Sequence, residues 1–535
     1  MSHPGPSTTA PAASGLRETG LAAYRRLEHR FDAAFGSTLN PLRHLGAIGF
    51  LLFWLLAISG IYLYAVLDTS IDGAYLSIDR LSREQWYLGG LLRSLHRYGA
   101  DAFVLVMLAH LAREWLFGRY HGFRRFSWLT GVPLILFVFA SAVGGFWLNW
   151  DQLGQFSAVA TAEWLDWLPV FGSPLTRNFI STAAVSDRMF SLFVFVHLGV
   201  PLLLVFGLWF HIQRISRAEV FPPRALALGT FVALVGLALA RPIMSHAPAD
   251  LGIVPEVLAF DWVLLSIHPL TYATSAGAVW VLLSVVLGLL FALPFVPRRL
   301  KSAPIAVVDP ANCNGCRRCF DDCPYAAVTM VPHPNGRTGR QMASVDPDLC
   351  ASCGICVGAC PSSTPFRSVA ELVTGIDMPQ APIGALRRRL QQGLAELSGP
   401  DRIVVFGCDR GARVESLAGP DVAPFSLMCI AALSPSFVEY ALRDGAAGVL
   451  VSGCRANGCE FRLGQRWTEA RLAGTRQPHL RASVPRERVA TAWADAADVD
   501  DLRAALSRLR ARLHGLRRVS SSVPSVPIAS PTSNG

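Results

Sequence analysis

RSLHRYGADAFVLVMLAHLAREW, residues 93–115, sets His96 and His110 fourteen positions apart in a mostly apolar run. HLGVPLLLVFGLWFH, residues 197–211, repeats the spacing with His197 and His211. In an α-helix, fourteen steps return to within about 40° of the starting face and rise about 21 Å. Each segment therefore presents two imidazoles on one face, one towards each side of a hydrocarbon core ~30 Å thick. A lone intramembrane histidine is ordinarily a hydrogen-bonded interior residue or part of a proton relay. The repeated spacing on two helices that run the same way predicts instead that His96 faces His197 and His110 faces His211. Two bis-histidine b-type haems, one outer and one inner, need this arrangement. Gly46 and Gly60, and Gly131 and Gly145, are also fourteen apart. Glycine lets a flat macrocycle come close to a helix backbone.

Working outward, apolar runs at about 44–66, 88–117, 128–149, 188–212, 225–240 and 270–296 predict six membrane helices, the fifth being short. With 52% hydrophobic and 16% charged residues, the 535-residue chain is neither disordered nor wholly soluble. Its net charge of +10 reflects arginines concentrated in alternate loops, which predicts cytoplasmic termini in the inner membrane rather than nucleic-acid binding. Residues 16–40, with Leu16, Leu21, Tyr24, Leu27 and Phe31 among arginines, read as an amphipathic interfacial helix, or else a short soluble one. Ser/Pro-rich stretches at 1–15 and 520–535 read as disordered tails.

Several stretches now point to one family. The 93–115 segment, WLTGVPLILFVFASAVGGFWLNWDQLGQFS (residues 128–157) and PVFGSPL (Pro169–Leu175) resemble the cytochrome b subunit of quinol-oxidising bc and bf complexes. The resemblance covers residues 24–297 and implies a di-haem four-helix core. PEVLAFDWVLLSIHP resembles the loop carrying that family's PEWY tetrapeptide. Asp261 and Trp262 then stand at its Glu–Trp positions, and Glu256 is a second candidate carboxylate for taking a quinol proton. Arg93, three residues before His96, is expected to pair with a haem propionate or to anchor at the membrane boundary. Arg113 and Arg214, three residues after the inner histidines, serve the inner haem or follow the positive-inside rule.

All twelve cysteines lie between Cys313 and Cys459. Cys313, Cys316, Cys319 and Cys323-Pro324 form C-x2-C-x2-C-x3-C-P, and Cys350, Cys353, Cys356 and Cys360-Pro361 repeat it. In this bacterial two-cluster ferredoxin signature, the fourth cysteine of each run ligates the other cluster. One [4Fe–4S] cluster is expected on Cys313, Cys316, Cys319 and Cys360, the other on Cys350, Cys353, Cys356 and Cys323. Zinc prefers paired C-x2-C motifs. Farther on, IVVFGC ends at Cys408, FSLMCI holds Cys429, and GVLVSGC ends at Cys454, with Cys459 five residues later. Strands alternating with helices predict an open parallel sheet, whose strand carboxyl ends gather ligands. A [2Fe–2S] cluster on these four cysteines is expected, with zinc or unligated cysteines as alternatives. The segment resembles the small iron–sulfur subunit of methyl-viologen-reducing hydrogenases, which passes electrons to heterodisulfide reductase complexes. That family has C-x2-C at its first position, where this chain has Gly411.

The expected architecture is an all-α polytopic membrane bundle over 41–297, an α+β ferredoxin domain over 303–366, an α/β open-sheet domain over 400–475 and a helical segment over 488–516. The expected role is a subunit of a quinone-dependent oxidoreductase complex. It would link the quinone pool to a cytoplasmic flavin/iron–sulfur partner, heterodisulfide-reductase-like by resemblance, and form a homodimer or larger complex. A membrane anchor and conduit without its own quinone site is the alternative, and a redox sensor is the third. If the pairing across helices is right, His110→Ala and His211→Ala lose the same haem from the optical spectrum; loss of different haems refutes it.

Overall fold

The computed structural model describes residues 15–179, 185–213, 215, 217–253, 255, 257–296, 304–335 and 339–521. The expected tails fall almost wholly outside these residues, as do Arg214 and Glu256. The chain divides into two compact units at Arg298/Arg299.

The first unit is helical. Helix α1 (Leu16–Phe35) is followed by α2 (Leu45–Val66), α3 (Ile71–Glu84), α4 (Leu91–Leu116), α5 (Arg125–Trp147), α6 (Gln152–Asp166), α7 (Asp187–Ile212), α8 (Arg224–Ala240), α9 (Ile267–Ala273) and α10 (Ala276–Ala292). Among the described residues, four helices are long and apolar enough to cross a membrane: α2, α5 with its preceding turn, α7, and α10 with its following turn. Helix α4, at 26 residues, has the length but carries Arg93, Arg97, Asp101, Arg113 and Glu114. Helix α8 is short, as expected, at 17 residues.

The sixth predicted run does not form one helix. It breaks at Thr274, and α10 starts afresh where the Ser275 side chain accepts a hydrogen bond from the Ala278 N–H. Hydropathy alone does not register such a cap. Likewise, α3 and α6 form between membrane runs because Ser70 and Asp151 cap their first turns. Helix α1 is tied to the end of α4 by a buried pair, Glu28 and Arg113, both 6% exposed. Arg113 also lies over the Phe117 ring.

The second unit is mixed α/β. Short antiparallel pairs join β1 (Val307–Val308) to β4 (Ile376–Asp377) and β2 (Val328–Pro332) to β3 (Gln341–Val345). The helical turns α11 (Arg318–Asp322) and α12 (Ile355–Ala359) lie within the two cysteine runs and carry Cys319 and Cys356. After α13 (Ile383–Glu396), β5 (Ile403–Cys408), β6 (Val422–Leu427), β7 (Gly448–Gly453) and β8 (Val489–Trp493) make a fully parallel sheet in the order β6-β5-β7-β8. Strands β5 and β7 are buried along their whole length, which explains why they read as continuous apolar runs.

Helices α14 (Ser436–Arg443), α15 (Gly464–Ala473) and α16 (Val499–Ser521) complete this sheet domain. The stretch 488–516 thus opens with a strand instead of a helix, and the sheet domain runs well beyond residue 475. Val489–Trp493 finds its partners only in β7, from Val449↔Val489 to Gly453↔Trp493. Leu502, Leu506, Leu509 and Leu513 then bury one face of α16 against the sheet.

Candidate redox centres

Helix α2 packs along α4, and α5 along α7. At each crossing a glycine meets a histidine. A Cβ built on Gly60 would lie 3.1 Å from Cε1 of His96, and one on Gly46 would lie 3.4 Å from Cε1 of His110. On the other pair, Gly145 stands opposite His197 at 2.9 Å, and Gly131 opposite His211 at 3.0 Å. The glycines therefore clear space for the imidazole itself as well as for any macrocycle beside it. Across the bundle, the His96 and His197 rings have centroids 6.2 Å apart. That gap accommodates two metal–imidazole bonds of about 2 Å each plus the rings' own radii. His110 and His211 are near enough to interact electrostatically. The His96/His197 spacing fits an iron held between the two rings.

Sequence reading missed what orients the rings. His96 Nδ1 is 3.0 Å from Ser59 Oγ, and His211 Nδ1 is 3.1 Å from Thr130 Oγ1. Each hydroxyl donates its own proton back along its helix, Ser59 to Leu55 O at 2.7 Å and Thr130 to Phe126 O at 2.8 Å. The hydroxyls can then only accept from the ring. His197 Nδ1–H donates to Ser141 O at 2.8 Å. In all three, the proton sits on Nδ1 and the Nε2 lone pair is left for a metal. One signal for this was in the sequence: Ser59 and Thr130 each directly precede a spaced glycine.

A cavity of about 380 Å³ opens beside His96 and His197. It is lined by Gly60, Gly145, Arg93, Arg97 and Asp261 among others. Arg93 is 8% exposed and donates to Ser82 Oγ at 2.6 Å and Asn149 Oδ1 at 3.1 Å. Arg113 is committed to Glu28 at 3.1 Å. Asp261 forms an ion pair with Arg97, the residue after His96, and Arg97 also pairs with Asp101 at 2.8 Å. Asp261 Oδ1 accepts from the Val263 and Leu264 N–H groups at 2.9 and 2.7 Å, a local turn that fixes the carboxylate. Trp262 points away, 69% exposed, and meets the Phe260 ring edge-on at 5.1 Å. Arg97 was not singled out from sequence, since an arginine beside a histidine carries no signal of its partner.

In the second unit, Cys313, Cys316, Cys319 and Cys360 line one small cavity. Cys323, Cys350, Cys353 and Cys356 are near one another, with Cys356 also near Cys319. The spacing predicts a crossed grouping, and Cys360 lies with the first run's Cys313, Cys316 and Cys319 around that cavity. Burial pushes the Cys319 thiol up to about 12 and raises Cys353 and Cys356 as well, so thiolates form here only as a metal displaces the protons. The last four cysteines meet at the carboxyl ends of the parallel strands. Cys408 ends β5, Cys429 follows β6, and Cys454 and Cys459 follow β7. Cys408 Sγ lies 3.7 Å from Cys454 Sγ, and contacts to Cys429 and Cys459 close a ring of four sulfurs. Metal–sulfur bonds of about 2.3 Å in tetrahedral geometry subtend an edge of roughly this length. The four sulfurs are thereby gathered as candidate ligands of one centre. Gly411 is pressed against backbone, its built Cβ 3.0 Å from Ala494 O and 3.2 Å from Cys454 N. A side chain has no room there, so the glycine leaves Cys408 as the first strand's one ligand.

Comparison with known proteins follows the same division. The cytochrome b/b6/petB family model matches residues 31–218, a 4Fe-4S dicluster domain model matches 312–364, and the model for the delta subunit of methyl-viologen-reducing hydrogenase matches 403–517. A solved structure described as "Hyperthermophilic respiratory Complex III" shares 19% identity, covering 53% of this chain and 84% of its own, with a TM-score of 0.40.

Two substitutions test the centres. Gly145→Val pushes a branched side chain into the His197 ring and is expected to remove the outer haem's absorbance while sparing the inner one; a spectrum with both haems intact refutes the assignment. Cys408→Ser is expected to erase one [2Fe–2S]-type paramagnetic signal and leave the [4Fe–4S] signals in place, so an unchanged spectrum dismisses Cys408 as a ligand. The three matches and the membrane-spanning helices together make the chain a membrane electron-transfer subunit, with a cytochrome b domain followed by a 4Fe–4S dicluster domain and a domain of the hydrogenase delta-subunit type.

Proposed function

We propose that this subunit exchanges electrons between the membrane quinone pool and a soluble flavin or iron–sulfur partner. His96, His197, His110 and His211 hold two b-type haems, and the twelve cysteines hold two [4Fe–4S] clusters and one [2Fe–2S] cluster. When bound, these groups supply one-electron carriers in series across and beyond the membrane. The chain's own residues supply position and proton handling. Ser59, Thr130 and the Ser141 carbonyl present Nε2 of three histidines to the irons. Asp261 accepts the quinol proton, and Arg97 holds its carboxylate one residue from the outer haem's ligand. The observation that carries the quinone assignment is the shared cavity, in which Asp261 and both outer-haem histidines line one wall-to-wall space. The match to the hydrogenase delta-subunit model supports a soluble redox partner, heterodisulfide-reductase-like by the sequence resemblance.

One observation favours a second reading, an anchor and conduit without a quinone site. The Asp261 oxygens already accept from Arg97 and two backbone N–H groups. A quinol must displace part of this arrangement before handing over a proton. The two readings separate in a spectral titration of the detergent-solubilised protein with a quinol analogue. A shift of the outer-haem band that Asp261→Asn weakens at least tenfold in apparent affinity, about 1.4 kcal/mol, supports the quinone site. No shift in the unsubstituted protein leaves the conduit.

A further inference from the structure

The second unit holds an ion pair that the cysteine assignments do not use. Asp322, in α11 between Cys319 and Cys323, is 2% exposed, and Arg471, in α15, is 1% exposed. The two are joined directly. Arg476 donates a second bond to Asp322 through Nε at 2.8 Å and stacks 3.4 Å over the Trp467 ring. Trp467 Nε1 in turn donates to the Asp322 carbonyl at 3.2 Å. One carboxylate thus faces two guanidinium groups, the buried one of Arg471 and the partly exposed one of Arg476.

The other partners of Arg471 show what it joins. Nη1 donates to Ala431 O at 2.7 Å, two residues after Cys429, and Nη2 reaches Ile355 O at 3.4 Å, beside Cys356. Gly358, on α12, is pressed against the Ala431 carbonyl and against Arg471 Nη1, so no side chain separates α12 from the turn after Cys429. The α15 helix begins at Gly464, whose built Cβ would lie 3.3 Å from Cys459 Sγ and touch Cys429 Sγ. Seven residues later, about 10 Å along the axis, the same helix delivers Arg471 to the dicluster segment. One hydrophobic core includes cysteines of both segments, Cys319 and Cys356 from the first and Cys408, Cys454 and Cys459 from the second.

A buried ion pair is weak support for stability, because desolvating two charges offsets most of their attraction. Its charge, in contrast, acts strongly on anything nearby that changes charge in a low-dielectric interior. Reducing an iron–sulfur cluster adds one negative charge, which a buried cation favours.

We propose that Arg471 is a positioning residue that fixes the Cys323/Cys350/Cys353/Cys356 cluster as the one next to the Cys408/Cys429/Cys454/Cys459 site, and that its charge raises that cluster's reduction potential. The order of exchange is then set: one electron leaves this [4Fe–4S] cluster and enters the C-terminal centre, with no bond made or broken, while the Cys313 cluster is one step farther away. The inference rests on the reading that both cysteine sets carry iron–sulfur clusters.

The test is a redox titration of the full-length, detergent-solubilised protein followed by electron paramagnetic resonance, with iron content as the assembly check. Cys353→Ser identifies the relevant signal by abolishing it. Arg471→Met is expected to lower that signal's midpoint and Asp322→Asn to raise it, with the haem midpoints unmoved. Opposite shifts from two partners of one ion pair are not produced by general loosening of the fold. Shifts of the same sign, or none, overturn the proposal. Should Arg471→Met fail to assemble iron, Asp322→Asn decides alone: a rise supports the proposal, and a fall or no change overturns it. Loss of iron in both variants makes the pair a folding element and also overturns it. If the unsubstituted protein shows no cluster signal, the cluster reading itself fails instead.

Discussion

The membrane unit depends on a bare backbone facing a bulky ring at four places. Gly60, Gly131 and Gly145 stand where a Cβ would press into an imidazole on the neighbouring helix, and at Gly46 a Cβ would just touch one. Glycine inside a helix costs about 1 kcal/mol relative to alanine in water, so four of them weaken helix propensity without any packing return of their own. What they provide is spacing: helices close enough for ring and macrocycle to be held between them. The hydrogen bonds from Nδ1 complete the constraint by fixing which nitrogen is presented. Room is thus set by the glycines, and ring orientation and ligand atom by the partners of Nδ1, so a defect in one group is not repaired by the other.

Much of this could be read before any coordinates, because it is periodic. A fourteen-residue interval between histidines maps onto one helix face by geometry alone, and so does the interval between glycines. The cysteine runs carry their grouping in their spacing. Contacts between residues distant in sequence carry no such mark. Asp261 and Arg97 are 164 positions apart, and nothing local to either reveals the other. Strand β8 was hidden for a similar reason, since VATAW becomes a strand only through its pairing with β7 in an Ala/Arg-rich neighbourhood. The break before α10 turned on a single serine cap inside an otherwise continuous apolar run. Ser59 and Thr130 lay between these cases, adjacent to marked glycines but with a role that appears only when the facing helix is in place.

The second unit obeys a different logic. Its parallel sheet is buried along β5 and β7, so the chain can reach solvent or ligand only at strand ends. The cysteines occupy those ends, and Gly411 marks where backbone packing leaves no space for another. Topology, more than local sequence, brings residues 408, 429, 454 and 459 together.

The single core that includes cysteines of both segments has a mechanical consequence. Close-packed interiors do not deform continuously, and hinges form where few contacts cross between bodies. With α12 seated on the turn after Cys429 and Arg471 pinned to both sides, the described residues of this unit show no joint between the two cysteine sets. The distance between the two cysteine sets is then a fixed property of the packing.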